Sequence, residues 1–211
     1  MYYWKEPEQK PYAIYVHGFA SSPKSGTLSS LARALPQYEW LAPEITHDPY
    51  ESLNILNEWA HAFQPSLIVG ASMGGMLCLY INAPQASKIA VNASLEMERT
   101  LRQKGYGKHP YLQEREDGAK EFVIDEPMIQ RFTQFKKEKT FIPGSKSIGL
   151  FSTKDELLGH EMSKRNARVL EAAEWEVVWS DKFGHFCNDN AVKKITELVN
   201  NLNKPLINHI R

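Results

Sequence analysis

Ser66-Leu67-Ile68-Val69-Gly70-Ala71-Ser72-Met73-Gly74-Gly75-Met76 is the stretch on which the reading of this chain turns. Leu67-Ile68-Val69 has the length and branching of a strand buried on both faces. Gly70-Ala71-Ser72-Met73-Gly74 then shows the Gly-x-Ser-x-Gly spacing of a strand that turns sharply into a helix. Such a turn strains the backbone at Ser72 and pushes its hydroxyl out above the sheet, while Gly70 and Gly74 leave room where strand and helix converge. The apolar run from Met76 to Ile81 predicts a helix that Pro84 stops.

Outward from this stretch, strand and helix patterns alternate. Tyr12 to Val16 predicts a strand that ends at His17-Gly18-Phe19, and Leu28, Leu31, Ala32 and Leu35 follow at helical spacing. Tyr38 to Ile45 predicts the next strand, and Leu53, Leu56, Trp59, Ala60 and Phe63 a helix closed by Pro65. After the Ser72 unit come a strand over Ser87 to Ala93, another over Ser147 to Ser152, a helix around Met162 to Ala173 and a strand over Trp175 to Trp179. Val192, Ile195, Val199 and Leu202 mark a final helix. Six strands interleaved with helices imply an α/β protein with a mostly parallel sheet covered on both faces.

The alternation breaks between Glu96 and Thr140. This segment holds ten Lys or Arg and nine Asp or Glu, and no run in it reads as a central strand. Asp125-Glu126-Pro127 is a helix start, with Met128, Ile129, Phe132 and Phe135 on one face. A connection of this length is an inserted cap or a disordered loop. Tyr106, Tyr111, Phe122, Phe132 and Phe135 supply apolar surface that disordered segments lack, which favours a helical cap at about 96–140 on a single domain spanning 1–211.

Composition narrows the function classes. The 25 Lys and Arg equal the 25 Asp and Glu, and the isoelectric point is about 7.1, so no global field draws nucleic acid or an anionic membrane. No stretch approaches the length of a membrane span, and Met1 to Glu8 lacks the apolar core of a signal peptide. Cys78 and Cys187 form no disulfide framework. The expectation is a soluble cytoplasmic protein acting on a small molecule; the oligomeric state is left open.

A serine hydroxyl becomes a nucleophile when a base takes its proton, and the base needs an acid to fix its tautomer and stabilise its charge. His185, in Phe183-Gly184-His185-Phe186, follows the last predicted strand, and Asp155, in Thr153-Lys154-Asp155-Glu156, follows the one before. Ser72, Asp155 and His185 therefore lie in the chain order of one recurring Ser-acid-His arrangement. Glu156, Asp181 and Asp189 are the competing carboxylates. The expected oxyanion donors are the backbone N–H groups of Met73 and Phe19, with Gly18 allowing close approach of substrate and His17 bracing the loop.

On Tyr15-Val16-His17-Gly18-Phe19-Ala20-Ser21-Ser22-Pro23, Gly70 to Gly75, Asp155-Glu156-Leu157-Leu158 and Gly184-His185-Phe186, the sequence resembles the α/β-hydrolase superfamily and within it the small bacterial YqiA-like esterases. The resemblance implies an α/β-hydrolase fold lacking the two N-terminal strands of larger relatives, and hydrolysis of carboxylic esters or thioesters. Glu96 to Thr140 and Cys187 stand outside the match. The rival readings are the same three groups acting on a peptide or a carbon–carbon bond, and a catalytically silent module of the same fold that binds a ligand or docks a partner. His47, Asp48, His109 and His160 have no metal-ligand spacing, so neither metal nor cofactor is expected. Cys78 is expected to pack as a small apolar residue, and Cys187 to be buried or an incidental thiol.

Overall fold

A computed structural model describes residues 9–202; the stretch Met1 to Glu8 lies outside the described residues. In chain order the elements are β1 (Tyr12–Val16), α1 (Gly26–Ala34), β2 (Glu39–Leu41), α2 (Pro49–Phe63), β3 (Leu67–Ala71), α3 (Met73–Cys78), β4 (Ser87–Val91), α4 (Met97–Lys104), β5 (Gly107–Pro110), β6 (Glu121–Ile124), α5 (Glu126–Glu138), β7 (Lys146–Ser152), α6 (Gly159–Ala172), β8 (Glu176–Ser180) and α7 (Asp189–Leu202).

Six strands form one sheet in the order β2-β1-β3-β4-β7-β8, and every pairing in it is parallel. The period of two along each strand sorts side chains between the faces. Ala13, Tyr15, Leu67, Val69 and Ile89 meet Leu31 of α1, Leu35 at its C-terminal cap, and Val192, Ile195 and Val199 of α7. Ile14, Val16, Ile68 and Phe151 point the other way, into a core shared with α2, α3, α5 and α6. Because β2 and β3 flank β1 on opposite sides, strand order reverses at β1, and the loops after β1 and β3 part there to leave a crevice.

Three elements differ from the sequence reading. The strand predicted over Tyr38 to Ile45 is only Glu39–Leu41. Pro43 has no N–H to offer a ladder, and the following Ile45 amide turns to the His17 ring instead. The helix predicted over Met76 to Ile81 ends at Cys78. There the Leu79 and Tyr80 amides bond to the carbonyls of Met76 and Leu77, three residues back, which tightens and closes the helix well before Pro84. The segment between β4 and β7 is helical as expected, with α4 and α5, but also holds the antiparallel hairpin β5-β6. Its strands are four residues long, and only Phe122 and Ile124 of β6 are buried, which gives too little alternation to read from sequence.

This segment is anchored in the main core. Asp125 caps α5 by accepting from the Met128 amide at 2.9 Å. Ile129, Phe132 and Phe135 then join the core of α2 and α3, with Phe135 edge-on to Tyr50 and Tyr80. No helix among the described residues is long and apolar enough to cross a membrane.

Lys88 sits in the central strand β4 and is fully buried. Its ammonium donates to the carbonyls of Ile81 and Ile142 at 2.6 Å each, tying the end of the α3 segment to the chain entering β7. Burial holds its pKa below the usual lysine value. Lys88→Met fills the same space but removes the ammonium from both carbonyls; Ile81 keeps the Ala83 amide at 2.9 Å, whereas Ile142 loses its donor, and an unmet buried polar group costs about 1–3 kcal/mol. Urea unfolding is expected to show a loss of about 1–3 kcal/mol for this variant; an unchanged midpoint would show that the Ile142 carbonyl does not need the Lys88 donor.

Candidate active site

Ser72 connects β3 to α3 with φ 56° and ψ −115°, a conformation that side-chain-bearing residues avoid. Packing enforces it. A methyl group on Gly70 would run into the backbone of Gly74, and one on Gly74 into the carbonyls of Val16 and His17, so β3, α3 and the end of β1 approach as closely as backbones can. The Ser72 amide donates to the Val91 carbonyl at 2.9 Å, and its carbonyl accepts from the Met76 and Ser94 amides. Both ends of the turn are thereby pinned. The Met73 N–H, first in α3, has no intrahelical acceptor.

Three of the side chains expected from sequence meet at this edge of the sheet. His185 Nε2 lies 3.0 Å from Ser72 Oγ, and His185 Nδ1 lies 3.0 and 2.9 Å from the two oxygens of Asp155. A carboxylate only accepts, so the ring proton sits on Nδ1, and Nε2 is left with a lone pair facing the serine hydroxyl. Asp155 Oδ1 also accepts from the amides of Leu157 at 3.0 Å and Leu158 at 2.8 Å, which fixes the carboxylate. Asp155 and His185 are both buried.

The competing carboxylates face elsewhere. Glu156 accepts from the backbone N–H of His185, Asp181 pairs with Lys182, and Asp189 accepts from Ser30. The scattered residues are structural: Asp48 caps α2, the His47 ring meets Tyr111, and His109 stacks on Phe122. Among the described residues no three His, Cys, Asp or Glu side chains are grouped to hold a metal ion. Cys78 and Cys187 are buried free thiols, and burial pushes each to about 12.

His17 acts on the loop through the peptide between Gly18 and Phe19. Its Nε2 accepts from the Ile45 amide at 3.3 Å, so the ring proton is on Nδ1 and is donated to the Gly18 carbonyl at 3.0 Å. A trans peptide points its C=O and N–H in opposite directions. Holding the Gly18 carbonyl on His17 therefore aims the Phe19 N–H away from that ring, while Gly18 itself lies against Ser72. Residues 44 and 45 are in turn held by Arg115, whose guanidinium lies 2.6 Å from Glu44 and donates to the Ile45 carbonyl at 3.3 Å.

This edge of the sheet opens into a cleft of about 870 Å³. Thr27, Ser30 and Arg33 of α1 form one wall and Met97, Thr100 and Leu101 of α4 the other. Leu112, Leu157 and Phe186 stand at its rim, each more than half exposed.

A parallel sheet of this order, with a strained serine turn after its third strand, defines an α/β-hydrolase fold, and solved structures agree. Est1E from Butyrivibrio proteoclasticus is similar with a TM-score of 0.64 at 16% identity, covering 93% of this chain and 88% of its own. The alpha/beta hydrolase domain-containing protein 10 from mouse matches at 0.61 and 15% identity over 92% and 91%. A monoacylglycerol lipase from Paleococcus ferrophilus matches at 0.62 and 13% over 89% and 93%. No curated protein matches the sequence. The chain belongs to the Uncharacterised protein family (UPF0227), whose model spans residues 12–200.

Sequence reasoning missed Asn92, Arg115 and the α4 wall. Asn92 carried one usable signal, a polar residue directly after a buried parallel strand at the edge where Ser72 and Asp155 also sit. Burial, helped by a smaller push from the Arg115 guanidinium, outweighs the raising effect of the hydrogen bond to the Gly18 carbonyl and holds His17 down to about 4. The unfolded chain takes up that proton near pH 6.5 whereas the folded protein resists until about pH 4. Stability from this group is complete above pH 6.5 and is lost as pH falls through that window, by about 3 kcal/mol. Unfolding measured from pH 7 to 4 is expected to be less steeply pH-dependent in His17→Gln than in the wild type; equal slopes would refute it.

Proposed function

We propose that this protein is a serine hydrolase that cleaves a small carboxylic ester or thioester through an acyl-enzyme intermediate. The observation that carries this reading is the unbroken hydrogen-bonded series from Ser72 Oγ through His185 to Asp155, opening on the cleft. Each member is anchored by backbone, so the series is organised before substrate arrives. The name of the lipase among the similar structures supports ester chemistry.

In this reading His185 Nε2 takes the Ser72 proton as Oγ attacks the acyl carbon, and Asp155 stabilises the imidazolium that forms. The tetrahedral oxyanion is held by the backbone N–H groups of Met73 and Phe19, each contributing about 10²–10³ in rate. His17, Gly18, Gly70 and Gly74 keep those donors and the serine in place. The imidazolium then protonates the leaving group, and the acyl-enzyme is hydrolysed by water that the same histidine activates. The apolar side of the cleft, Met97 and Leu101, suits the acyl part.

Purified wild-type protein is expected to take up one fluorophosphonate adduct by intact mass, while Ser72→Ala and His185→Ala take up none and Ser72→Ala hydrolyses no ester. Asp155→Asn should lower turnover by about 10³–10⁴-fold, because the ring loses its tautomer control. Ester hydrolysis undiminished in Ser72→Ala would overturn the proposal, and a well-folded wild type that neither labels nor turns over esters would favour a silent binding module.

A further inference from the structure

The loop between β8 and α7 that carries His185 has no ladder of its own, yet consecutive backbone groups in it are held by side chains from the ends of β4 and β7. Ser152 Oγ donates to the Phe183 carbonyl. Asn92 Nδ2 donates to the carbonyls of Gly184 at 3.0 Å and His185 at 2.9 Å. Glu156 Oε2 accepts from the His185 N–H at 2.8 Å.

Asn92 is fully buried, and each polar atom of its side chain is engaged, because its Oδ1 also accepts from the Ser152 amide at 2.8 Å. It therefore ties the histidine loop to the strand that delivers Asp155. The residue sits at φ 43°, where glycine fits without strain and asparagine is among the few residues with a side chain that is tolerated. Glu156 has its own cleared place, since a methyl group on Gly184 would collide with its carboxylate.

We propose that Asn92 and Glu156 are positioning residues for His185, gripping the carbonyl and the N–H of the same residue so that Nε2 stays on Ser72 while Nδ1 stays on Asp155. The proposal rests on the hydrolase reading of Ser72 and His185. Misplacing a reacting group by about 1 Å costs about 10²-fold in rate, and loss of either grip frees the peptide that sets the ring's position.

The test compares wild type with Asn92→Gly, which keeps the backbone conformation, and with Glu156→Ala and Glu156→Gln. Three readouts are the rate of fluorophosphonate labelling, the separate kcat and KM for an ester, and the low-field proton resonance of His185 Nδ1–H. Asn92→Gly and Glu156→Ala are expected to label about 10–100-fold more slowly, with kcat reduced, KM nearly unchanged and the low-field resonance shifted or broadened. Glu156→Gln keeps an acceptor oxygen and should restore labelling to within about threefold of wild type.

Wild-type labelling and an unmoved resonance in both Asn92→Gly and Glu156→Ala would overturn the proposal. Loss in Glu156→Gln equal to that in Glu156→Ala would also overturn the Glu156 part, because charge and not the accepted hydrogen bond would then matter. A variant of Asn92 that does not fold leaves the Glu156 pair to decide. If the wild type itself neither labels nor turns over esters, the hydrolase reading falls, and the resonance alone still reports whether the grips position the ring.

Discussion

The close approach of β3, α3 and the end of β1 is the constraint from which the site follows. Two glycines let three backbones converge where no side chain fits, and the chain can reverse from strand to helix in that space only by putting Ser72 into a positive-φ conformation. Strain at Ser72 is thus imposed by packing on both sides and is held by hydrogen bonds from β4 and from the turn after it. Above the turn, the strand order reverses at β1, which opens space for a ligand directly beside the serine.

Around that turn the site is assembled from loops whose polar groups are satisfied by one another. Asp155 accepts two amides as well as the histidine proton, and Asn92 binds two loops at once. Buried polar networks of this kind rigidify when every member is satisfied and cost stability when one is not. This explains how short, irregular loops at the edge of a sheet can hold three side chains within hydrogen-bond distance.

The long connection between β4 and β7 has two parts with different physical roles. Its second helix, α5, is a core element packed against α2 and α4, as its four buried apolar side chains require. Its first part, α4 and the hairpin, supplies a wall and rim of the cleft and reaches the loop after β1 through Arg115, residues 44 and 45, and His17. The same chain segment therefore completes the core and shapes the opening over Ser72.

Much of this was legible from sequence because it is written in local patterns. Apolar runs of strand length, helical spacing of Leu53, Leu56 and Ala60, and a Gly-x-Ser-x-Gly turn each depend on residues within a few positions. Chain order also pointed to Asp155 and His185. The places where strands and helices stopped were less readable, since β2 and α3 end where hydrogen bonds are diverted to His17 and to carbonyls one turn back. The hairpin escaped for want of apolar alternation.

By itself, the sequence determined the order of the six strands of the main sheet and the helices between them outside the 96–140 segment, the sharp turn at Ser72 and the set of groups available to act there, because each is dictated by neighbours along the chain. Tertiary structure decided which carboxylate meets His185, that Asn92 and Glu156 hold its backbone, that Arg115 stands behind His17, and that α5 belongs to the core. Asn92 lies 92 and 93 residues from the carbonyls it binds, and Arg115 is 70 residues from Ile45. Contacts across such separations exist only once the sheet has brought its strand ends together.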